Sequence, residues 1–372
     1  MTEAILLVGG QGTRLRPLTS HTPKPLLPVA GVPFLAHQLA RAAAAGVHRV
    51  VFATSYLAEL FEPHFGDGAV FGLDLVYVTE AEPLGTGGAI RNAADHLTCG
   101  PDEPVLVLNG DILSGLDIAA LRDGHRASGA DVSLHLTRVA DPRAFGLVPT
   151  DADGRVTAFL EKPQTPEEIV TDQINAGAYV FTRAVIDRIP AGRVVSVERE
   201  TFPDLLATDA VVRGVVDDTY WLDLGTPAAF VKGSADLVRG RVSSPALPGP
   251  VGDALVLDGA FVDPLAVLSG GTVVGAGAVV GAGAVVEGSV VLPGARIAGR
   301  ALVHHSVVGR HAEVGAGSRL DSVVVGDGAV VGAGNELPAG LRVGCGAVLA
   351  DESVRMSAAP STCAAAHVGA RR

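Results

Sequence analysis

A chain of 372 residues with 48% hydrophobic content has room for more than one packed core. Its formal net charge of −12 excludes a nucleic-acid surface, which needs arrays of Lys and Arg to neutralise phosphates. No uninterrupted apolar run reaches about 18 residues, no signal-peptide pattern opens the chain, and Cys99, Cys345 and Cys363 form no CxxC pair. These features argue against a membrane protein, a disulfide scaffold and a thiolate metal site. They predict a cytoplasmic, multi-domain globular protein with ordinary thiols.

The first predicted element is an apolar strand over residues 4–8, running into GGQGTRLRPLT at residues 9–19. A dinucleotide fingerprint starting at Gly10 would need glycine where Leu15 stands, and a P-loop would need Gly-Lys-Ser/Thr. What remains is a loop of small residues whose N–H groups can approach phosphate oxygens, with Arg14 and Arg16 offering planar guanidinium forks. Lys24 follows in HTPKPLLPV, stiffened by prolines 23, 25 and 28. Residues 4–58 contain no Asp or Glu, while Arg14, Arg16, Lys24, Arg41 and Arg49 all fall there. In an acidic protein this predicts a small, highly charged anionic ligand. An alanine-rich helix over 35–45 accounts for Arg41 without any ligand.

Apolar strands at 50–53, 73–78 and 105–108 alternate with helix-like segments, which predicts an α/β domain with a largely parallel, buried sheet. Asn109-Gly110-Asp111 ends one strand. Asn-Gly is a hairpin signal, yet ILSGLDIAALRDGHRASG after it reads as loop then helix. VVSVERETFPDLL reads as a helix start, with Ser196 as N-cap and Glu198 and Glu200 in the first turn.

Residues 241–252 change in composition and are predicted as a linker after a domain at 1–240. Beyond them, VVGAGAVVGAGAVVEGSVVLPGARIAG puts Gly275, Gly281 and Gly299 in one six-residue phase, with Val274, Val280 and Val286 one position ahead of each step. The phase resets at Gly309 and Gly315, then at Gly326, Gly332 and Gly344. Six-residue aliphatic-Gly units predict a parallel β-helix over 253–356, with aliphatics stacked inside and glycines permitting the corners. The tail at 357–372 carries no pattern and is expected to be disordered.

GGQGTRLRPLTSHTPKPLLPV, LVLNGD, FLEKP, INAGAYVF and YWLDLGTP, in this order, resemble the sugar-1-phosphate nucleotidyltransferases. EPLGTGGAI, SVERETFPDL and the hexapeptide repeats are most similar to the mannose-1-phosphate guanylyltransferase branch. The resemblance implies a Rossmann-like domain with a mixed, mostly parallel sheet, followed by a left-handed β-helix through which a homo-oligomer forms. It implies attack by a sugar-1-phosphate oxygen on the α-phosphorus of a nucleoside triphosphate, releasing pyrophosphate; for that branch the pair is GTP and mannose 1-phosphate. It assigns a Mg²⁺ cofactor to Asp111 and Asp223. Arg14 and Lys24 would hold the phosphates, and Leu7, Gly9, Gly10, Gly12, Thr13, Pro83, Gly85 and Asn109, with Asp111, would surround the nucleotide. Lys162 would hold the sugar phosphate, with Gly110, Gly146, Glu161, Asn175, Gly177 and Asp223 around the sugar.

For the base, guanine presents N1–H and N2–H₂ as adjacent donors that one carboxylate can accept, whereas uracil and thymine suit an amide. Relatives that use uridine or thymidine commonly carry Gln before the second glycine-rich segment; here Glu80 stands there, with Glu82 nearby, which favours guanine. Both could also be surface charges. Other triphosphates and sugars (glucose or a heptose), a catalytically silent scaffold relative, and acyl transfer using His304, His305 or His311 remain open at this level.

Overall fold

The computed structural model describes residues 2–54 and 58–355; the expected disordered tail and Cys363 lie outside the described residues. Nine strands form the main sheet: β1 (Thr2–Leu7), β2 (Val47–Thr54), β3 (Asp74–Thr79), β4 (Pro104–Asn109), β5 (Val132–Arg138), β6 (Gly146–Leu147), β7 (Leu160–Glu161), β8 (Gln173–Thr182) and β9 (Val212–Val216). The main order is β7-β6-β8-β4-β1-β2-β3, with β5 beside β8 and β9 beside β5. β7 and β8 run against the other seven, so the sheet is mixed and mostly parallel.

The central strands read as continuous apolar runs because both faces are covered. Within β1, Ile5 packs into the core on one face with Ile90 of the Gly85–Ala94 helix, and Ala4 and Leu6 pack on the other with Leu35 and Leu39 of the Phe34–Ala44 helix. Two local expectations need correction. A short strand, Ile112–Ser114, intervenes between Asp111 and the Ile118–Ser128 helix; it does not return along β4 but pairs with Trp221–Asp223. Three residues are too few to show a period. Ser196 does cap, its Oγ accepting from Arg199 N at 3.2 Å, but the turn it opens is π-helical over Val197–Thr201 before the Phe202–Leu206 helix.

From Ala254 onward the chain winds into three stacked parallel sheets, a parallel β-helix. Val274, Val280 and Val286 are fully buried inside it, as the repeat predicts. The glycine reading is corrected in two ways. Leu255 stacks on Val273 after 18 residues, but Val273, Val290, Val307 and Val324 follow at intervals of 17. Gly299 therefore stacks on Ala282, not on Gly281, and the phase must reset. The phased glycines are also not the ones with left-handed backbone. At Gly275 a Cβ would lie 2.7 Å from the backbone nitrogen of Pro293 in the next coil, whereas the left-handed corner (φ +66°) belongs to Gly277.

One sheet of the β-helix is buried on both sides. Inward, Val274, Val291, Val308 and Val325 form its interior. Outward, Leu255, Val273, Val290, Val307 and Val324 pack on Leu15, Leu18, Phe34 and Phe230 of the α/β domain. The doubled valines thus mark an interdomain core. Among the described residues no helix is long and apolar enough to cross a membrane, and Cys99 and Cys345 are free thiols.

Candidate active site

β1 and β4 lie side by side and end together, with Leu7 opposite Asn109. Just past them Gly110 N donates to Leu7 O at 2.8 Å, and a Cβ on Gly110 would come within 2.6 Å of that oxygen. The Asn-Gly-Asp turn is thus pressed against the glycine loop, where ligands bind in open α/β sheets. Gly12 adopts the left-handed conformation (φ 57°, ψ 34°) and starts a short 3₁₀ turn over Thr13–Leu15. Leu15 is buried and anchors the turn, leaving Arg14 to project with its side chain 65% exposed. A second 3₁₀ turn, Lys24–Leu26, buries Leu26 and presents Lys24, whose side chain is only 11% exposed.

These turns bring four charges together. Lys24 Nζ donates to Asp111 Oδ2 at 2.9 Å and lies 3.6 Å from Asp223 Oδ1, while Arg14 Nη2 lies 3.7 Å from Asp223 Oδ2. Sequence-distant Asp111 and Asp223 meet because Asp223 pairs with Ile112 in the two-stranded ladder and Leu224 N donates to Asp111 O at 3.0 Å. Asp223 Oδ1 is buried and lacks a hydrogen-bond partner. Paired carboxylates, one with a buried oxygen held only by the longer ion pair to Lys24, suit a hard cation that completes its shell with phosphate oxygens and water. Among the described residues no group of three or more His, Cys, Asp or Glu is placed to hold a metal ion, so protein ligands alone would not complete that shell.

A cavity of about 310 Å³ opens over this cluster, lined by Leu7, Gly9, Gly10, Gly12, Thr13, Arg14, Lys24, Asn109, Gly110 and Asp111. A second, of about 210 Å³, shares Leu7, Gly9 and Gly10 and adds Glu80, Pro83 and Gly85. The structure therefore gathers all twelve expected nucleotide contacts around two adjoining cavities. Glu80 Oε2 accepts from Leu84 N at 3.3 Å, but Oε1 is buried without a partner, and burial pushes the carboxyl above its ordinary pKa. In the first turn of the helix starting at Gly85, two N–H groups are already taken: Gly87 N and Gly88 N donate to Val195 O at 2.8 and 3.3 Å. The Gly9–Thr13 loop lines the first cavity and offers backbone N–H groups to phosphates.

Of the expected sugar contacts, Gly110 lines the first cavity and Asp223 belongs to the charge cluster beneath it; the others lie outside both cavities, and Gly177 among them meets Asn109. β8 bulges after Asn175, and left-handed Gly177 (φ 78°) presses on Asn109, where a Cβ would sit 2.7 Å from Nδ2. Asn175 Nδ2 donates to Tyr179 Oη at 2.7 Å and its Oδ1 accepts from Gly177 N at 3.1 Å, fixing the amide. Glu161 pairs with Gly146, whose added Cβ would lie 2.7 Å from Glu161 Oε2. Lys162 takes a left-handed conformation (φ 52°), stays 57% exposed and lies 3.5 Å from Glu161 Oε1. It sits on the surface near this group and is not brought to the Asp111–Asp223 pair by any direct contact.

Sequence reasoning missed three neighbours. Thr86 lines both cavities, and its Oγ1 donates to Glu198 Oε2 at 2.7 Å. Glu198 belongs to the π-helical turn, a distortion often found near functional sites. Gly225 underlies the Arg14 guanidinium, where a larger residue would displace it. The signals were the GTGG, VERE and LDLG stretches.

A family model described as nucleotidyl transferase matches residues 3–240, and one described as GMPPB C-terminal domain matches residues 250–362. The chain belongs to the nucleotidyl transferase family. Among its relatives, the mannose-1-phosphate guanylyltransferase of Mycobacterium tuberculosis is 60% identical over 274 residues, covering 73% of this chain and 75% of that one. The mannose-1-phosphate guanylyltransferase catalytic subunit beta of Drosophila pseudoobscura pseudoobscura is 38% identical over 277 residues, covering 73% and 71%. Among solved structures, HddC from Yersinia pseudotuberculosis complexed with GMP-PN matches with a TM-score of 0.54 and 28% identity, over 63% of this chain and 98% of that one.

Proposed function

We propose that this nucleotidyltransferase makes GDP-mannose and pyrophosphate from GTP and α-D-mannose 1-phosphate. The observation that carries this reading is a single cleft with an unpartnered, buried Glu80 oxygen at one end and the Lys24-bridged Asp111–Asp223 pair at the other. The relatives' printed activities support both substrates. Glu80 accepts guanine N1–H and N2–H₂, and backbone N–H groups of Gly10, Gly12 and Thr13 face the phosphates. A triphosphate exchanges into the ion pairs: Arg14 and Lys24 turn from the two aspartates to phosphate oxygens. Asp111 and Asp223, so released, are the residues that would hold Mg²⁺, which when bound neutralises phosphate charge at the reacting centre.

Glu161 and the backbone at Gly146 orient the sugar, the Asn175–Gly177 bulge closes its far side, and Lys162 steadies its phosphate. A sugar-phosphate oxygen then forms a bond to the α-phosphorus as the bond from that phosphorus to the α–β bridging oxygen breaks. Arg14 and Lys24 stabilise the charge gathering on the departing pyrophosphate. We place this chemistry in the cytoplasm and infer that copies associate through the β-helix, whose first coil leaves Phe261, Leu265 and Val267 57%, 73% and 53% exposed. Light scattering that returned only monomer mass would remove that second inference.

The decisive assay is pyrophosphate release with GTP, UTP, dTTP and ATP against mannose, glucose and heptose 1-phosphates in Mg²⁺. Turnover with GTP and mannose 1-phosphate above all other pairs is expected. Preference for UTP or dTTP would overturn the role of Glu80, and no release with any pair would favour a silent scaffold.

A further inference from the structure

The segment joining Arg14 to Lys24 does not rest on its own domain alone. Its apolar side chains Leu15 and Leu18 enter the interdomain core, and its polar backbone meets the far coils of the β-helix. The outward column Leu255, Val273, Val290, Val307 and Val324 continues in register to Arg342, so the apolar stripe ends on a guanidinium. Arg342 Nη1 donates to Arg16 O at 2.8 Å. Arg16 is the residue that closes the Thr13–Leu15 turn, its own N–H bonded to Thr13 O at 3.2 Å. Two further contacts follow along the same segment: Cys345 Sγ to Pro17 O at 3.6 Å, and Arg310 Nη1 to Thr22 Oγ1 at 3.5 Å.

We propose that Arg342 is a positioning residue for nucleotide binding, holding the turn that aims Arg14 at the triphosphate from a coil more than 300 residues away in sequence. The bond is solvent-exposed, so its part is to set geometry: a guanidinium donor fixes where the turn's terminal carbonyl points. Here it fixes the exit of a three-residue turn whose entry is fixed by Gly12, so the backbone from which Arg14 projects has little freedom between them. The β-helix thereby completes the phosphate end of the cleft. This inference rests on the triphosphate reading of that cleft, and it makes the last full coils a requirement for nucleotide affinity.

The test is calorimetric titration of GTP with Mg²⁺ into the full chain and into Arg342→Ala and Arg342→Lys, with melting curves of all three and steady-state kinetics. Arg342→Ala should weaken GTP binding and raise its KM about tenfold or more, leave the KM for mannose 1-phosphate within about twofold, and melt close to the parent. Arg342→Lys, which keeps one donor, should recover most of the affinity. Equal GTP affinity in parent and Arg342→Ala would overturn the inference. So would equal losses for both substrates accompanied by a lowered melting temperature, which would mark a structural contact only. A parent chain that binds GTP but releases no pyrophosphate would instead overturn the catalytic reading, leaving the binding comparison to decide this one.

Discussion

The two ends of the cleft handle charge in opposite ways. At the phosphate end Arg14, Lys24, Asp111 and Asp223 neutralise one another before any ligand arrives. At the base end Glu80 has a backbone N–H on one oxygen, nothing on the other, and a pKa raised by burial. The phosphate end therefore keeps its shape through internal partners that a triphosphate must displace. The base end carries an unmet demand that a suitable pair of donors fills, which is how a buried polar group turns into selectivity.

The sharpest way to break this contrast is at the shared pair. Asp223→Asn or Asp111→Asn should lower kcat/KM by about 10²- to 10³-fold, read as pyrophosphate release, with GTP still preferred over other triphosphates. A change of base preference in either variant would mean that the ends are not separate. Next comes Glu80→Gln, expected to reduce kcat/KM for GTP roughly ten- to a hundredfold while narrowing its advantage over UTP.

Glu80 also has a sign that stability can read. Its folded pKa is raised, so the folded chain holds the proton more tightly than the unfolded chain, and stability falls as pH rises through that interval. Above that interval the penalty is fully present, and Glu80→Gln should melt higher than the parent there. In the parent, the KM for GTP should climb as pH drops towards the raised pKa, and that rise should vanish in the variant.

Two changes outside the cleft are expected to act on stability alone. Burial lowers His125 and His135 to about 4, so both stay neutral in the fold while the unfolded chain protonates near 6.5. Their contribution is complete above about 6.5 and is lost as pH falls from there towards 4. Denaturant midpoints measured across that window should drop in the parent and less so in His125→Gln. The smallest effect is expected from Val290→Ala in the interdomain core, about 2 kcal/mol. Chemical denaturation followed by probes in each domain should show both transitions moving together.

Much of the cleft was legible because its contacts sit in short, locally patterned stretches at strand ends. The Gly9–Thr13 loop, Asn109-Gly110-Asp111 and the Glu80–Gly85 stretch each announce a strand giving way to a turn. The parallel β-helix was legible from its period. What could not be read depends on long-range register. The 17-residue coils shifted Gly299 into a different column from the one a six-residue count gives it. The bond from Arg342 to Arg16 leaves no local trace at either residue. Val273-Val274 and its successors did carry a signal, two adjacent apolar positions on a strand with two buried faces, which is visible in hindsight as a sheet with protein on both sides.

That doubly covered sheet also sets a schedule for biosynthesis. Leu15, Leu18 and Phe34 leave the ribosome early, but the valines that cover them extend to Val324, roughly 290 residues later. At about 5–20 residues per second, those side chains wait on the order of 15 to 60 s for their partners. The amino-terminal segment is thus a nascent-chain liability, and a chaperone that engages it should raise soluble yield more than one acting after release.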